Sequence, residues 1–298
     1  MGIKKIIHQV LKKYGFRIEN KNKMFRNRRA YLSKYNTVKN KELLLKSYLD
    51  IIKLENYIKI DSIEDYKDGV LIAFDNFKIY IESREEFYIV SEIFAENDYN
   101  FFFPKKTVVV DIGCNVGMAS LFFAAKENIT KIIAYEPVAD TFENAKINFD
   151  LNKSISSKIE IHNFGWGGSN KKETFLYDKL IKGNTGVRGK KSLSYQGSTS
   201  TETREVTIKK SSEVFRDLLT TYQNQDFVFK IDCEGAEYEI LNDLSDNDLI
   251  AKIKIIMIEW HDEGAATLEA ILQKNNFMIF SRNLAVNSGM ICAYNTKI

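Results

Sequence analysis

Apolar and polar positions follow two different patterns along this chain, and the change of pattern divides it into two parts. From about residue 107 onward, short continuous apolar runs are separated by segments of helical character. Continuous apolar runs are typical of parallel strands that are buried on both faces of a sheet. They predict five strands, in the runs TVVVDIG, KIIAYEP, KIEIHNF, FVFKIDCEG and KIIMIEW.

Predicted helices separate these strands, and two more strands follow the fifth. Helices are expected to begin at Val116, Asp140 and Ser211. The closing runs FMIFSRN and MICAYNT are joined by a short loop, which predicts an antiparallel pair at the sheet edge. Alternating strands and helices indicate an α/β fold with a Rossmann-like, doubly wound sheet of seven strands, the last antiparallel.

The first hundred residues have a different pattern. Residues 3–13 carry apolar side chains at helical spacing with lysines on the other face, whereas residues 17–36 are basic and aperiodic, which indicates a loop or irregular arm. A second helix is predicted over residues 39–54. The run GVLIAFDNFKIYIE predicts a hairpin that turns near Asp75, and a helix is expected to begin at Ser83.

Charge is distributed unevenly between the two ends of the chain. Residues 1–41 hold 13 of the 43 Lys and Arg side chains but one of the 40 acidic ones, so this segment carries +12 and the remainder −9. The three cysteines form no CxxC pair, so neither a disulfide framework nor a zinc site is expected. No apolar run approaches the ~20 residues that span a bilayer. The expected location is cytoplasmic.

A glycine turn in the stretch VVVDIGCNVGMAS, residues 108–120, is the first candidate site. It lacks the lysine of a phosphate-binding GxxxxGK[ST] loop and the third glycine of the dinucleotide motif GxGxxG. It matches the adenosylmethionine turn DxGxNxG, formed by Asp111, Gly113, Asn115 and Gly117. The two glycines would let the backbone approach a ligand closely. Asp111 would meet the ligand's ammonium group, directly or through water.

The end of the second strand supports the same cofactor. Glu136 stands at its carboxyl end, where a carboxylate can accept hydrogen bonds from both ribose hydroxyls, and Pro137 can wall the adenine. Phe164 and Gly165, which follow the third strand, are assigned to the same side of the cofactor. The sequence therefore predicts an S-adenosylmethionine site, although bulky Trp166 stands beside the adenine contacts.

The chain resembles the FkbM family of adenosylmethionine-dependent methyltransferases in VVVDIGCNVGMASLFFAA, IIAYEP, FKIDCEGAEYEIL and IIMIEWHD. The resemblance implies a class I methyltransferase fold and methyl transfer, commonly to oxygen and often on sugars or secondary metabolites. The matched blocks cover about residues 107–262. The chain as a whole is expected to divide into a basic helical extension, residues 1–65, and a methyltransferase domain, residues 66–298. Within that domain, a hairpin and helix at 70–100 lead into the sheet at 107–298.

The resemblance also marks Asp232, Glu234 and His261, with Glu259, as the edge of the active site. Strand ends of a doubly wound sheet face the ligand crevice, so Asp232 or His261 is the candidate base for an acceptor hydroxyl. Glu234 is either a member of the site or a favourable charge at the following helix. These carboxylates could hold magnesium, but no ligand spacing requires a metal, so base catalysis without one is the prediction.

The expected acceptor is a glycan, a glycosylated carrier or a small molecule. The alternatives are N-methylation of an amino sugar or amino-acid substituent, a dinucleotide-dependent dehydrogenase, and a non-catalytic binding protein that keeps the fold. The basic loop at residues 183–203 is expected to close over the acceptor, and Arg188, Lys190 and Lys191 would favour an anionic one.

The basic N-terminal arm has two open interpretations. Its amphipathic stripe at residues 3–13 either contacts anionic lipid at the inner membrane face or packs on the acidic body of the protein. Nucleic acid is not an expected partner, because no base-reading or stacking motif accompanies the charge.

Overall fold

The computed structural model describes residues 21–101, 106–189 and 200–297, together with Leu11, Lys13 and Tyr195. No helix among these residues has both the length and the apolar character needed to cross a bilayer.

Two sequence predictions concern residues outside these described ranges. Nearly all of the amphipathic stripe at residues 3–13 lies outside the described residues, and so do Lys190 and Lys191 of the basic loop. Lipid contact and loop closure through these residues therefore stay predictions.

A layer of short helices and a three-stranded antiparallel sheet precede the central sheet. The predicted hairpin is present, with Asp75 in the left-handed conformation at its turn, and Ser83 caps the next helix by accepting a 3.2 Å hydrogen bond from the Glu86 amide. The elements are α1 (Lys21–Tyr31), α2 (Lys41–Lys46), α3 (Tyr48–Tyr57), β1 (Ile60–Tyr66), β2 (Gly69–Phe74), β3 (Phe77–Ile81) and α4 (Arg84–Val90), which continues into a π-helical turn (Ser91–Ala95).

The prediction of a loop at residues 17–36 is wrong for α1. This helix lacks an apolar stripe, but Lys, Arg, Met and Ala are good helix formers without one. Contacts from a distant segment anchor its end, since Tyr31 and Tyr35 both donate hydrogen bonds to the Glu55 carboxylate of α3. The single helix predicted over 39–54 is two helices, because Ser47 leaves the helical conformation between α2 and α3.

The seven predicted strands of the central sheet are confirmed. They are β4 (Thr107–Ile112), β5 (Ile129–Tyr135), β6 (Ile159–His162), β10 (Asp226–Ile231), β11 (Ile253–His261), β12 (Phe277–Ala285) and β13 (Ser288–Asn295). Their order across the sheet is β12, β13, β11, β10, β4, β5, β6, and β13 runs antiparallel to both neighbours. The intervening β7 (Gly165–Gly167), β8 (Lys171–Tyr177) and β9 (Glu202–Lys210) form a separate small sheet that the sequence did not predict.

Both faces of the central sheet are covered. Val109 of β4 packs in a core with the N-terminal layer, whereas its neighbours Val108 and Val110 pack in a second core on the opposite face. The covering helices of the domain are α5 (Met118–Ala124), α6 (Ala139–Leu151), α7 (Lys153–Ser156), α8 (Ser211–Thr221), α9 (Glu237–Asp246) and α10 (Ala266–Lys274). The strands' carboxyl ends therefore meet at one edge of a rigid, doubly covered sheet.

Candidate active site

The predicted glycine turn connects β4 to α5, and both glycines have left-handed backbones. Gly113 has φ +78° and Gly117 has φ +82°. A Cβ atom on Gly113 would lie 1.9 Å from the carbonyl oxygen of Asp232, and one on Gly117 would lie 2.5 Å from the ring of Phe149. The glycines are thus required by the protein's own packing, which brings the turn against the end of β10.

Asp111 is buried beneath this turn and is held by two donors. Its carboxylate accepts a 2.6 Å hydrogen bond from Ser120 Oγ and lies 3.2 Å from Lys230 Nζ. Lys230 also donates to the Gly113 carbonyl at 2.7 Å and lies 3.5 Å from Asp232. Burial alone would lower the pKa of Lys230, but the charges of Asp111 and Asp232 outweigh it and raise that pKa. A protonated lysine therefore joins the glycine turn to the end of β10.

Glu136 lies at the end of β5, where the sequence placed it. Its two carboxylate oxygens accept backbone hydrogen bonds from Asn115 at 3.1 Å and from Val138 at 2.9 Å. Burial is the largest influence on this carboxyl and raises its pKa to about 7, against the lowering effect of these two donors. The carboxylate is therefore fixed in direction beside the glycine turn.

The residues assigned to the adenine side divide between the cavity and the core. Pro137, Gly165 and Trp166 line the cavity described below. Trp166 is nevertheless almost fully buried, with its ring edge-on to Tyr135 at 5.2 Å, and it forms part of the core. Phe164 packs against the same tyrosine ring at 5.0 Å. Trp166 therefore serves as the inner wall of this region.

Five charged side chains converge beyond the ends of β10 and β11. His261 Nδ1 lies 2.7 Å from Glu237 Oε1, while His261 Nε2 lies 3.3 Å from Glu234 and 3.7 Å from Glu259. Asp232, Glu234 and His261 each present an atom able to bind a metal, all within 4.8 Å of one another. We call Asp232, Glu234, Glu259 and His261 the acidic cluster.

The electrostatics of the acidic cluster bear on the prediction that Asp232 or His261 acts as the base. Burial alone would lower its pKa, but the hydrogen bond to Glu237 and the charges of Glu234 and Glu237 raise it to about 10. Burial also raises the pKa of Glu234 to about 7 and, together with the charge of Asp232, that of Glu259 well above its ordinary value. The pairing with Glu237 and Glu234 therefore favours the protonated form of His261, and the raised pKa values of Glu234 and Glu259 make these carboxylates, when ionised, stronger proton acceptors than free carboxylates.

Arg188, from the predicted basic loop, bridges two acidic residues at the rim of the acidic cluster. Its guanidinium donates to both oxygens of Asp262 at 2.9 Å and to Glu234 Oε2 at 2.8 Å. Its backbone amide donates to the Glu234 carbonyl at 3.0 Å. The positive charge of Arg188, which was predicted to favour an anionic acceptor, is thus already paired with two acidic residues of the protein.

One cavity of about 410 Å³ joins the glycine turn to the acidic cluster. Its lining includes these predicted site residues: Gly113, Asn115, Glu136, Pro137, Gly165, Asp232, Glu234, Glu259 and His261. Its remaining wall includes Tyr88 of α4 and Glu92 of the π-helical turn, so the N-terminal layer completes the site. Asp111, Gly117 and Phe164 are outside this lining: Asp111 and Gly117 are buried, and Phe164 packs against Tyr135.

Two residues that act at this site were not assigned to it from the sequence. Lys230 stands inside an apolar strand and lies directly beside Asp111 in the register of β10 and β4. Glu237 is fully buried at the start of α9 and orients His261. A charged residue in the middle of an apolar run was the available signal for Lys230, because such a residue needs a buried partner.

Comparison with known proteins identifies the class of enzyme. Residues 111–279, more than half of the chain, match the model of the methyltransferase FkbM domain. The strand order, with antiparallel β13 between β11 and β12, is that of a class I methyltransferase fold. The protein is therefore a methyltransferase with a Rossmann-like fold. It belongs to the FkbM methyltransferase family.

Individual relatives are distant from this chain. Methyltransferase 1 of Beauveria bassiana is 26% identical over 222 residues, which cover 69% of this chain and 87% of the relative. Methyltransferase sdnD of Sordaria araneosa is 26% identical over 231 residues, covering 70% and 89%. Among solved structures, the FkbM methyltransferase of Methylobacillus flagellatus KT has 13% identity and a TM-score of 0.43, covering 84% of this chain and 60% of that one.

Proposed function

We propose that this enzyme transfers a methyl group from S-adenosylmethionine to a hydroxyl group of a sugar, a glycan or a glycosylated carrier. One observation carries the proposal: a single cavity is lined by the glycine turn and Glu136 on one side and by the acidic cluster on the other. Methyl transfer needs a cofactor and an acceptor side by side, and the lining of this cavity offers contacts for each of them.

The lining beside the glycine turn fits the cofactor. Glu136 offers carboxylate oxygens to ribose hydroxyls, beside the backbone of the turn. Asn115 Oδ1 is buried and accepts no hydrogen bond from the described residues, so it can accept one from the ammonium group of the methionine end. The Asp111–Lys230 pair lies below and holds the turn in this shape. S-Adenosylmethionine supplies the reactive sulfonium, and the protein orients it.

The acidic cluster fits the proton transfer that accompanies attack by a hydroxyl. Asp232 and Glu259 keep 28% and 26% of their side chains exposed, so an acceptor in the cavity can reach either. We assign the role of proton acceptor to one of these two carboxylates. His261 positions that carboxylate. A positioned base of this kind contributes about 10²–10⁴-fold to the rate.

The charge of the lining favours a neutral acceptor rich in hydroxyl groups. Glu85, Glu92 and the acidic cluster all face the cavity, and Arg188 is already paired with Asp262 and Glu234. An anionic acceptor would meet like charges, whereas sugar hydroxyls can donate hydrogen bonds to these carboxylates. We therefore propose an uncharged sugar in place of the anionic acceptor that the loop sequence suggested.

Incubation with methyl-labelled S-adenosylmethionine and panels of free sugars, oligosaccharides and glycosylated carriers tests this function. We expect label to enter a sugar as an O-methyl ether, located by mass spectrometry, with one equivalent of adenosylhomocysteine formed. Asp232→Asn and Glu259→Gln are compared with the wild-type protein at saturating cofactor, and the variant that removes the base should slow turnover by about 10²–10⁴-fold.

Asp226→Asn is the matched control, because Asp226 stands at the opposite end of the same strand and does not line the cavity. It should retain wild-type turnover. Label on nitrogen would replace the proposal with N-methylation, and a panel that gains no label while other compounds do would refute a sugar acceptor. Equal turnover in both carboxylate variants and the wild type would remove the base assignment.

A further inference from the structure

The acidic cluster has the composition and spacing of a metal site. Asp232 and Glu234 follow β10, His261 ends β11, and one potential ligand atom from each lies within 4.8 Å of the other two. Two carboxylate oxygens and one imidazole nitrogen on neighbouring strand ends can approach a common ion with small side-chain adjustments.

The orientation of His261 is a second and independent observation. Its side chain is 97% buried, and its Nδ1 is held at 2.7 Å by the fully buried Glu237, which is not a member of the cluster. Nε2 points at the carboxylates, with which it can form ion pairs, at 3.3 Å from Glu234 and 3.7 Å from Glu259. A histidine that binds a metal usually has its other ring nitrogen bonded to a carboxylate in this way.

We propose that Asp232, Glu234 and His261 bind one divalent cation of the Mn²⁺ or Mg²⁺ class at the acceptor side of the cavity. Hard cations prefer carboxylate oxygens, and the single imidazole favours Mn²⁺ over Mg²⁺. Arg188 donates a hydrogen bond to Glu234 Oε2, and the other oxygen, Oε1, faces His261.

The role of the cation in catalysis rests on the proposed function, whereas its binding does not. With three protein ligands, positions remain for the acceptor hydroxyl, whose oxygen the cation would orient and whose proton it would make more acidic. The O–C bond forms as the S–C bond of the sulfonium breaks, leaving a thioether. The hydroxyl proton passes to Glu259 in its ionised form; this residue lines the cavity and is outside the proposed ligand set.

Titration of the chelator-treated full chain with Mn²⁺ tests the binding, by electron paramagnetic resonance of the free ion and by calorimetry. We expect one Mn²⁺ per chain, displaced by excess Mg²⁺. Asp232→Asn should abolish this binding. Glu237→Gln, which alters only the residue behind His261, should weaken it by about 10- to 100-fold.

Glu160→Gln is the matched control, because Glu160 pairs with His162 at 3.1 Å in a Glu–His contact outside the cavity. It should leave Mn²⁺ affinity unchanged, and circular dichroism verifies that each variant is folded. Absence of stoichiometric Mn²⁺ binding to the wild type, or equal binding by folded Asp232→Asn, would overturn the proposal. Chelator-resistant methyl transfer without Mn²⁺ binding would exclude the cation and leave the methyltransferase function intact.

Discussion

Replacing Lys230 with methionine is expected to destabilise the protein and to weaken cofactor binding. The Lys230 ammonium lies 2.7 Å from the Gly113 carbonyl and 3.2 Å from the buried Asp111 carboxylate. Methionine preserves much of the side-chain volume but removes the charge. Among the described residues, Asp111 would then keep one hydrogen-bond donor, Ser120.

The size of the expected stability loss follows from the burial of Lys230 and Asp111, whose side chains are 3% and 0% exposed. Removing one member of a buried ion pair leaves an uncompensated charge and destabilises a protein by about 3–5 kcal/mol. We expect the free energy of unfolding, measured by urea denaturation, to fall by about that amount. Adding Asp111→Asn to Lys230→Met should recover part of the loss, because the unpaired charge is removed as well.

Lys172→Met is the matched control. Lys172 also pairs with a glutamate, Glu205 at 2.7 Å, but its side chain is 71% exposed, so solvent screens the pair and little stability should be lost. Adenosylhomocysteine affinity, measured by calorimetry, should fall in Lys230→Met and stay constant in Lys172→Met. If Lys230→Met unfolds at the wild-type urea concentration, or binds adenosylhomocysteine normally, the linking role assigned to Lys230 is refuted.

Two further predictions concern the cofactor side. Because burial raises the pKa of Glu136 to about 7 and ribose hydroxyls favour its ionised form, adenosylhomocysteine affinity should fall up to about tenfold per pH unit below 7. Glu136→Gln should bind weakly at all pH values, and an unchanged pH dependence in this variant would contradict the assignment. Gly113→Ala should destabilise the fold and abolish binding, since its Cβ would lie 1.9 Å from the Asp232 carbonyl, whereas Gly189→Ala meets no atom within 4 Å. Similar melting temperatures for the two alanine variants would show that the turn can relax.

The central sheet could be predicted because burial on both faces leaves long apolar runs. The small sheet could not, although Val206 and Ile208 of β9 alternate with exposed residues as a half-buried strand should. Its other strands are short or follow Gly- and Asn-rich turns, and their pairing is non-local. Helix α1 was not predicted for a similar reason, because Glu55, the partner of its terminal tyrosine Tyr31, belongs to another helix.

Much of the candidate site could be predicted because strand ends of a parallel sheet meet at one edge. Asp232, Glu234 and His261 were placed together on this ground, and the structure brings them within contact distance. The sequence could not show that the pKa of His261 is raised, since that shift depends on its hydrogen bond to Glu237, which forms only in the folded protein. Nor could it show that Arg188 is paired, because Asp262 and Glu234 reach it only through the folded loop.

The position of β13 has a consequence for the order in which the molecule can assemble during synthesis. Within the described residues β12 pairs with β13 alone, and β11 holds β10 on its other side. Until residues 288–295 leave the ribosome, β11 presents an open edge and β12 has no place in the sheet. His261, whose register partner is Ser288, gains its final neighbour only at that moment. The catalytic edge therefore becomes complete only after β13 has emerged, and until then the nascent chain carries an unpaired apolar strand, a known risk for aggregation.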